Sequence, residues 1–229
     1  MSEKKALTVF VLAAICVQIM VGPIVHAQQN TLTGYVTCSE SNLPLKTGSV
    51  SIGNEKANIR NGRFSLQDLP TGAFEMEVEG PYRKVYSKTI TIKRGKNHMD
   101  LTIPSQFSDN EIQLLARIAH AEAEGEGFQG QAAVAATVLN RVKSPKYPAS
   151  VPEVVYQRIN GIYQYSPVGD GRINLPAGQE ALKAAHLALA GEDPTFGATG
   201  FFNPQKTADG WVRQHKVTTT IGGHVFFSY

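Results

Sequence analysis

The stretch SDNEIQLLARIAHAEAEGE, residues 108–126, decides how the second half of this chain folds. Ser108 followed three residues later by Glu111 forms a capping box: the hydroxyl caps an early helical N–H and the glutamate reaches back. Ile112, Leu115 and Ala119 then recur at helical spacing, and the next position on that stripe is Glu122. A carboxylate thus stands on the buried face of its own helix. Desolvation there disfavours the charged form and raises the pKa, which is what a general acid at neutral pH needs. Glu124 points away and reads as part of a solvated helix end. Glu126 returns to the Glu122 face by the i,i+4 rule, provided the helix survives Gly125.

Downstream the helical texture continues. Residues 129–142 are so rich in alanine and valine that they must be buried on most sides. Ser150 and Glu153 make a second capping box, with Pro152 in the first turn where its missing N–H costs little. A further helix over 178–190 is closed by Gly191. The chain ends in two β-rich runs within 217–227 around Gly222-Gly223, which predicts a hairpin. Residues 105–229 therefore read as an α+β domain with a terminal β-hairpin.

Upstream the texture is different. Residues 31–37, 48–52, 62–66, 73–78 and 88–92 alternate apolar and polar in period two, with glycine, proline and asparagine between them. Such spacing predicts a small all-β sandwich over 28–104. The pattern Gly34-Tyr-Val, Gly62-Arg-Phe and Leu69-Pro-Thr-Gly resembles the carboxypeptidase-regulatory-like, transthyretin-like sandwiches, which bring no catalytic residue with them. Lys84, Lys88, Lys93, Arg94 and Lys96 lie close together. They read as lysines guarding a strand edge rather than as a docking face for anionic polymer. Pro104 to Phe107 forms the boundary, and the second half is expected to fold and act without the first.

The first 27 residues read as a secretory signal. Lys4 and Lys5 precede an apolar run from Ala6 to Met20, then Gly22-Pro23, with Val25 and Ala27 as small residues for cleavage. The mature chain is therefore expected outside the cytoplasmic membrane, in the wall or beyond, with no stable membrane span. Of two cysteines Cys16 leaves with the signal, so Cys38 is alone and reads as a core residue. A net charge of +3 over 229 residues is too weak to mark a nucleic-acid binder.

No metal or cofactor is expected. His120-Ala-Glu122 is not the two-histidine helical turn of a zinc protease, and His98, His186, His215 and His224 are scattered along the chain. Nor does any serine, cysteine or glycine-rich loop sit in a nucleophile or phosphate-binding context.

The run from Ile112 to Lys143, with Tyr165-Ser-Pro-Val-Gly-Asp-Gly-Arg-Ile-Asn174, Phe201-Phe-Asn-Pro204 and Ile221-Gly-Gly-His-Val-Phe226 in order after it, resembles the SleB-type cell wall hydrolases, the spore cortex-lytic enzymes. The resemblance implies a lysozyme-like core that cleaves peptidoglycan glycan strands, and it places the essential acid on Glu122. This chain departs from the family pattern with His120 in place of an aromatic residue and Glu124 in place of arginine. A β domain also stands where the best-known members carry a helical wall-binding domain.

Glycosidases commonly pair two carboxylates. Here Glu122 is the clear one, with Glu126 and Asp170 as candidates for support. Asp170 sits in a Gly-Asp-Gly turn, where aspartate commonly serves the backbone. One acid suffices if the muramic 6-hydroxyl is the nucleophile, so the reading is a lytic transglycosylase. A muramidase using Asp170 and a non-catalytic wall clamp are the alternatives. Tyr165, Ser166, Phe202 and Asn203 are the candidate sugar contacts, with Tyr156, Tyr163 and Trp211 as further aromatic candidates. The expected partner is the peptidoglycan strand, and the expected state is a monomer.

Overall fold

A computed structural model describes residues 29–207 and 210–228. The expected signal, residues 1–27, lies outside the described residues. Among the described residues no helix is long and apolar enough to cross a membrane.

The first half is all β. Its strands are β1 (Thr31–Cys38), β2 (Thr47–Ile52), β3 (Glu55–Arg60), β4 (Arg63–Leu66), β5 (Gly72–Glu79), β6 (Tyr86–Ile92), β7 (Lys96–His98) and β8 (Leu101–Ile103). They pair in the order β6-β5-β2-β3-β4-β1-β7, with β8 also on β1. Instead of the two separate sheets of a sandwich, all eight strands join one sheet, seven of them along a single path and β8 beside β1. Its alternating inner residues, among them Val36, Val50, Met76 and Ile103, form one apolar core with Cys38 inside it. Period two explains this: each strand points every second side chain inward and leaves the others to water. Asn61 and Gly62 both adopt positive φ and join β3 to β4 as a two-residue turn, the geometry an Asn-Gly pair favours.

The second half begins where the capping box places it. Helix α1 (Asp109–Ala123) is capped by Ser108, whose side chain accepts from the Glu111 N–H while Glu111 accepts from the Ser108 N–H. Helix α2 (Gly127–Lys143) is buried along most of its length. Helices α3 (Val151–Val155) and α4 (Ser166–Gly169) are short, and α5 (Gln179–Leu189) packs on both α1 and α2. Between α3 and α4, β9 (Arg158–Ile159) and β10 (Ile162–Tyr163) form a small ribbon. The terminal hairpin consists of β12 (Lys216–Ile221) and β13 (His224–Ser228), turning at Gly222-Gly223. A third strand, β11 (Gly200–Phe202), pairs with β13.

The two halves are bound together by buried polar contacts. Arg83, just before β6, makes two hydrogen bonds to Glu40 at 2.6 and 2.7 Å and a third to the Leu189 carbonyl at the end of α5, at 2.7 Å. The Lys46 N–H donates to the Ala190 carbonyl at 2.8 Å, and Ala190 itself sits in the core of the β domain. Burial alone would raise the Glu40 carboxyl, but the Arg83 bonds outweigh it and hold Glu40 below its ordinary range. The segment 104–107 is therefore a short connection between docked domains rather than a free hinge.

Candidate active site

Helix α1 ends at Ala123, one residue after Glu122. The carboxylate therefore stands at the mouth of the domain, on the stripe that Ile112, Leu115 and Ala119 bury below it. It lines a groove of about 410 Å³ together with Ser166, Arg172, Phe201, Phe202, Asn203, Lys206 and His224. A larger cavity, about 550 Å³, lies at the domain junction. No residue of the Glu122 cluster lines it, so chemistry rather than size selects the groove.

Burial pushes the Glu122 carboxyl up to about 7; Arg172 and Arg141 pull the other way, as does a bond from the Ser166 backbone, while Asp170 adds to the rise. Desolvation wins because the carboxylate sits above an apolar helix stripe while the nearest cation, Arg172, is exposed and bound to Asp170 at 2.9 Å. The Arg172 guanidinium also donates to the Ala121 carbonyl at 2.7 Å, which fixes it beside the last turn of α1. Arg141 lies deeper, its Nε on the Thr199 carbonyl at 2.6 Å and its guanidinium 5.0 Å from the centre of the Tyr165 ring. At neutral pH such a carboxyl is shared between its acid and base forms, so one group can give a proton and then take one.

The other sequence candidates separate. Ser166, Phe202 and Asn203 line the same groove as Glu122. Phe202 is 9% exposed, with Arg213 5.5 Å from its ring centre, so it walls the groove and offers little face to a sugar. Tyr165 is 2% exposed and belongs to the helical core, packed near Phe201. Its ring cannot stack on a sugar: the α4 turn that begins at Ser166 points it inward. Tyr156 and Tyr163 are not among the groove residues.

Asp170 faces solvent outside the groove. It accepts from the Arg172 N–H at 3.0 Å and holds the Arg172 side chain, which keeps its carboxyl low. This is the backbone role that a Gly-Asp-Gly turn predicts, and it leaves no proton on Asp170 near neutrality.

Glu126 does not return to the Glu122 face. A 3-10 turn over Glu124–Glu126 interrupts the helix after Ala123, so the i,i+4 relation is lost. Glu126 instead accepts from the Gly223 N–H at 2.6 Å, across 97 residues. A side chain on Gly222 would collide with this carboxylate; the glycine turn lets Glu126 clasp the hairpin tip.

Arg172, Phe201, Lys206 and His224 were not assigned to the site by sequence. For Arg172 the signal was present, since it follows the Gly-Asp-Gly turn by one residue. His224 lay in a family motif, but its place in the groove follows only from packing the hairpin against α2 and from the Glu126 bond to the Gly223 N–H. Among the described residues, no cluster of three or more His, Cys, Asp or Glu side chains is arranged to hold a metal.

The second half is thus an α+β domain whose open groove is lined by one carboxylate among the described residues, and that carboxyl is elevated. A family model described as cell wall hydrolase matches residues 125–227, beginning three residues after Glu122. The catalytic domain of the germination-specific lytic transglycosylase SleB of Bacillus anthracis is 36% identical. It aligns over 55% of this chain and 99% of that domain, with a TM-score of 0.51. Spore cortex-lytic enzymes of Halalkalibacterium halodurans and Bacillus subtilis are 40% and 35% identical, over 54% and 58% of this chain. The chain spans only 36% and 42% of the length of those two relatives. This chain belongs to the SleB-type cell wall hydrolase family.

Proposed function

We propose that this chain cleaves the bond between N-acetylmuramic acid and N-acetylglucosamine in peptidoglycan, as a lytic transglycosylase with Glu122 as both acid and base. The observation that carries the reading is the elevated Glu122 carboxyl in a groove that no other carboxylate lines among the described residues. Glu122 gives its proton to the glycosidic oxygen as the C1–O bond breaks. The resulting carboxylate takes the proton of the muramic 6-hydroxyl, whose oxygen bonds to C1. Protons balance, and no water is consumed. A tethered nucleophile has the effective concentration of an intramolecular group, so a second carboxylate is not needed.

The relatives' names support action on spore cortex during germination. That address requires export by the segment 1–27. A clamp without catalysis is disfavoured, because an elevated buried acid costs stability and serves binding poorly.

Purified wall digested by the enzyme, reduced with borohydride and weighed by mass spectrometry tests the chemistry. Anhydro ends resist reduction and hydrolytic ends do not. Anhydro products are expected, and Asp170→Asn should lose less than about tenfold, because asparagine still accepts from the Arg172 N–H through its side-chain oxygen. Reducible ends with an inactive Asp170→Asn enzyme would move the reading to hydrolysis with two acids. The pH profile is a separate check. Since Glu122 must begin protonated, the rate should fall as pH rises through about 7. A plateau extending to pH 9 would remove Glu122 from the acid role.

A further inference from the structure

In the same groove as Glu122, at the tip of the hairpin, stands a histidine that the cleavage chemistry does not use. His224 is 8% exposed and lines the groove. Its ring packs on Phe201, with centres 5.3 Å apart. Of its two nitrogens Nδ1 is buried with no hydrogen-bond partner among the described residues, which leaves Nε2 for the groove. A buried N–H without an acceptor costs more than a buried bare lone pair with a wet alternative, so the neutral ring keeps its proton on Nε2. Burial, helped by Lys206 and opposed by Glu126, holds the imidazole below its ordinary pKa, so the neutral form prevails at neutral pH. The groove-facing nitrogen is then a donor.

A second donor sits beside it. The Asn203 side-chain oxygen accepts from the Gln205 N–H at 2.9 Å, which identifies it as the oxygen and leaves Nδ2 free to donate. That Nδ2 lies against Gly223, the residue before His224. The Glu126 bond to the Gly223 N–H fixes the hairpin tip that carries His224, and the Gln205 N–H fixes the Asn203 side chain. Two donors therefore stand on the wall of one groove, which Phe202 and Val212 also line with apolar surface. One small group matches that set: an acetamide, whose carbonyl oxygen can accept two hydrogen bonds and whose methyl group fits apolar walls.

We propose that His224 and Asn203 form a clamp for the N-acetyl carbonyl of an amino sugar beside the cleaved bond, making His224 a specificity-determining residue of this groove. The assignment rests on the reading of the groove as a glycan site but not on its cleaving the glycan. Binding, not turnover, therefore tests it. The probes are the tetramer of N-acetylglucosamine and its fully de-N-acetylated counterpart, titrated calorimetrically into full-length Glu122→Gln protein.

The acetylated tetramer should bind at least tenfold more tightly than the de-N-acetylated one. His224→Phe, which keeps the ring packing and removes the donor, should weaken the acetylated probe about tenfold and leave the other unchanged. His224→Gln, with an amide nitrogen near the Nε2 position, should recover most of the loss. Asn203→Asp keeps the oxygen that holds the turn while replacing the donor, so it should reproduce the His224→Phe loss even if the histidine variants fold poorly. Equal loss for both probes, no loss in either donor variant, or no binding of the acetylated tetramer would each overturn the clamp. If the tetramer binds as stated but wild-type enzyme leaves peptidoglycan intact, only the cleavage reading fails.

Discussion

Glu122→Gln is expected to reduce glycan cleavage by at least about 10²–10⁴-fold, the range typical of general acid–base catalysis, while making the protein more stable above neutral pH. Both effects come from one cause. Burial raises the folded-state carboxyl from 4.5 to about 7. Below pH 4.5 the group is protonated in folded and unfolded chains alike, and burial carries no titration penalty. Between 4.5 and about 7 the unfolded chain gives up its proton while the folded chain keeps it, so stability falls as pH rises. Above that interval the penalty is complete, on the order of 3 kcal/mol. Glutamine has nearly the same shape and no charge to desolvate, so it removes the penalty together with the catalyst. Urea unfolding at pH 8 and pH 4 should show a gain for Glu122→Gln at the higher pH only. Glu124→Gln, an exposed change two residues away, should alter neither rate nor stability appreciably. Wild-type clearing of wall suspensions by the Glu122 variant would reject the assignment. A normal gain in stability with full activity would show that the elevated acid is real and idle.

The placement of Glu122 at the end of a buried stripe was legible because its signal is local: a capping box sets the helix phase, and three apolar residues set the stripe. The same locality explains Ser108 and the Gly222-Gly223 turn. At Ser150 only half of the box forms: the hydroxyl accepts from the Glu153 N–H, while the Glu153 carboxylate accepts from that hydroxyl rather than from the backbone. What sequence did not reveal depends on distant pairing. Strand β3, Glu55-Lys-Ala-Asn-Ile-Arg60, lacks clean alternation and forms because β2 and β4 flank it. Strands β7 and β8 are three residues each and exist by parallel pairing to β1, more than sixty residues earlier. Strand β11 was hidden in the motif that supplied Phe202 and Asn203. The site itself divides in the same way. Glu126 was placed by a helical rule that fails at the 3-10 turn, and its real partner is a backbone N–H on the far hairpin. Tyr165 lies in a family motif, yet motif membership says nothing about which way a ring points. Its inward direction follows from a four-residue helix too short to carry a periodic signal.

The boundary between the halves carries the second large expected effect. Proline and a capping box mark where the chain changes texture, and on that ground the second half should stand alone. The solved catalytic domain of the Bacillus anthracis relative, which this chain covers almost completely, supports the view that such a domain can fold by itself. Here, however, the end of α5 is held by the β domain. Arg83, with a fully buried side chain, joins Glu40 to the Leu189 carbonyl. Arg83→Ala would leave Glu40 buried without its cation, and breaking one side of a buried pair typically costs about 3–5 kcal/mol. The full-length Arg83→Ala protein should lose stability by about that amount at pH 7. Because Glu40 is held below its ordinary pKa, the pair contributes fully above the unfolded value of 4.5 and loses its contribution as pH falls through the lower folded value. The Arg83→Ala deficit should therefore shrink in acid. Replacing both partners, Arg83→Met with Glu40→Leu, removes the stranded charge and should recover most of the loss, which distinguishes desolvated charge from lost packing. The fragment 105–229 should fold but fray at residues 186–191, visible as faster amide exchange there than in the full chain, since Ala190 loses the core that covers it. An Arg83→Ala change within about 0.5 kcal/mol of wild type, combined with equal exchange in fragment and full chain, would mean that the domains are merely neighbours. The expected outcome makes the β domain part of the enzyme's stability, with α5 and the α1–α2 core that presents Glu122 resting on it.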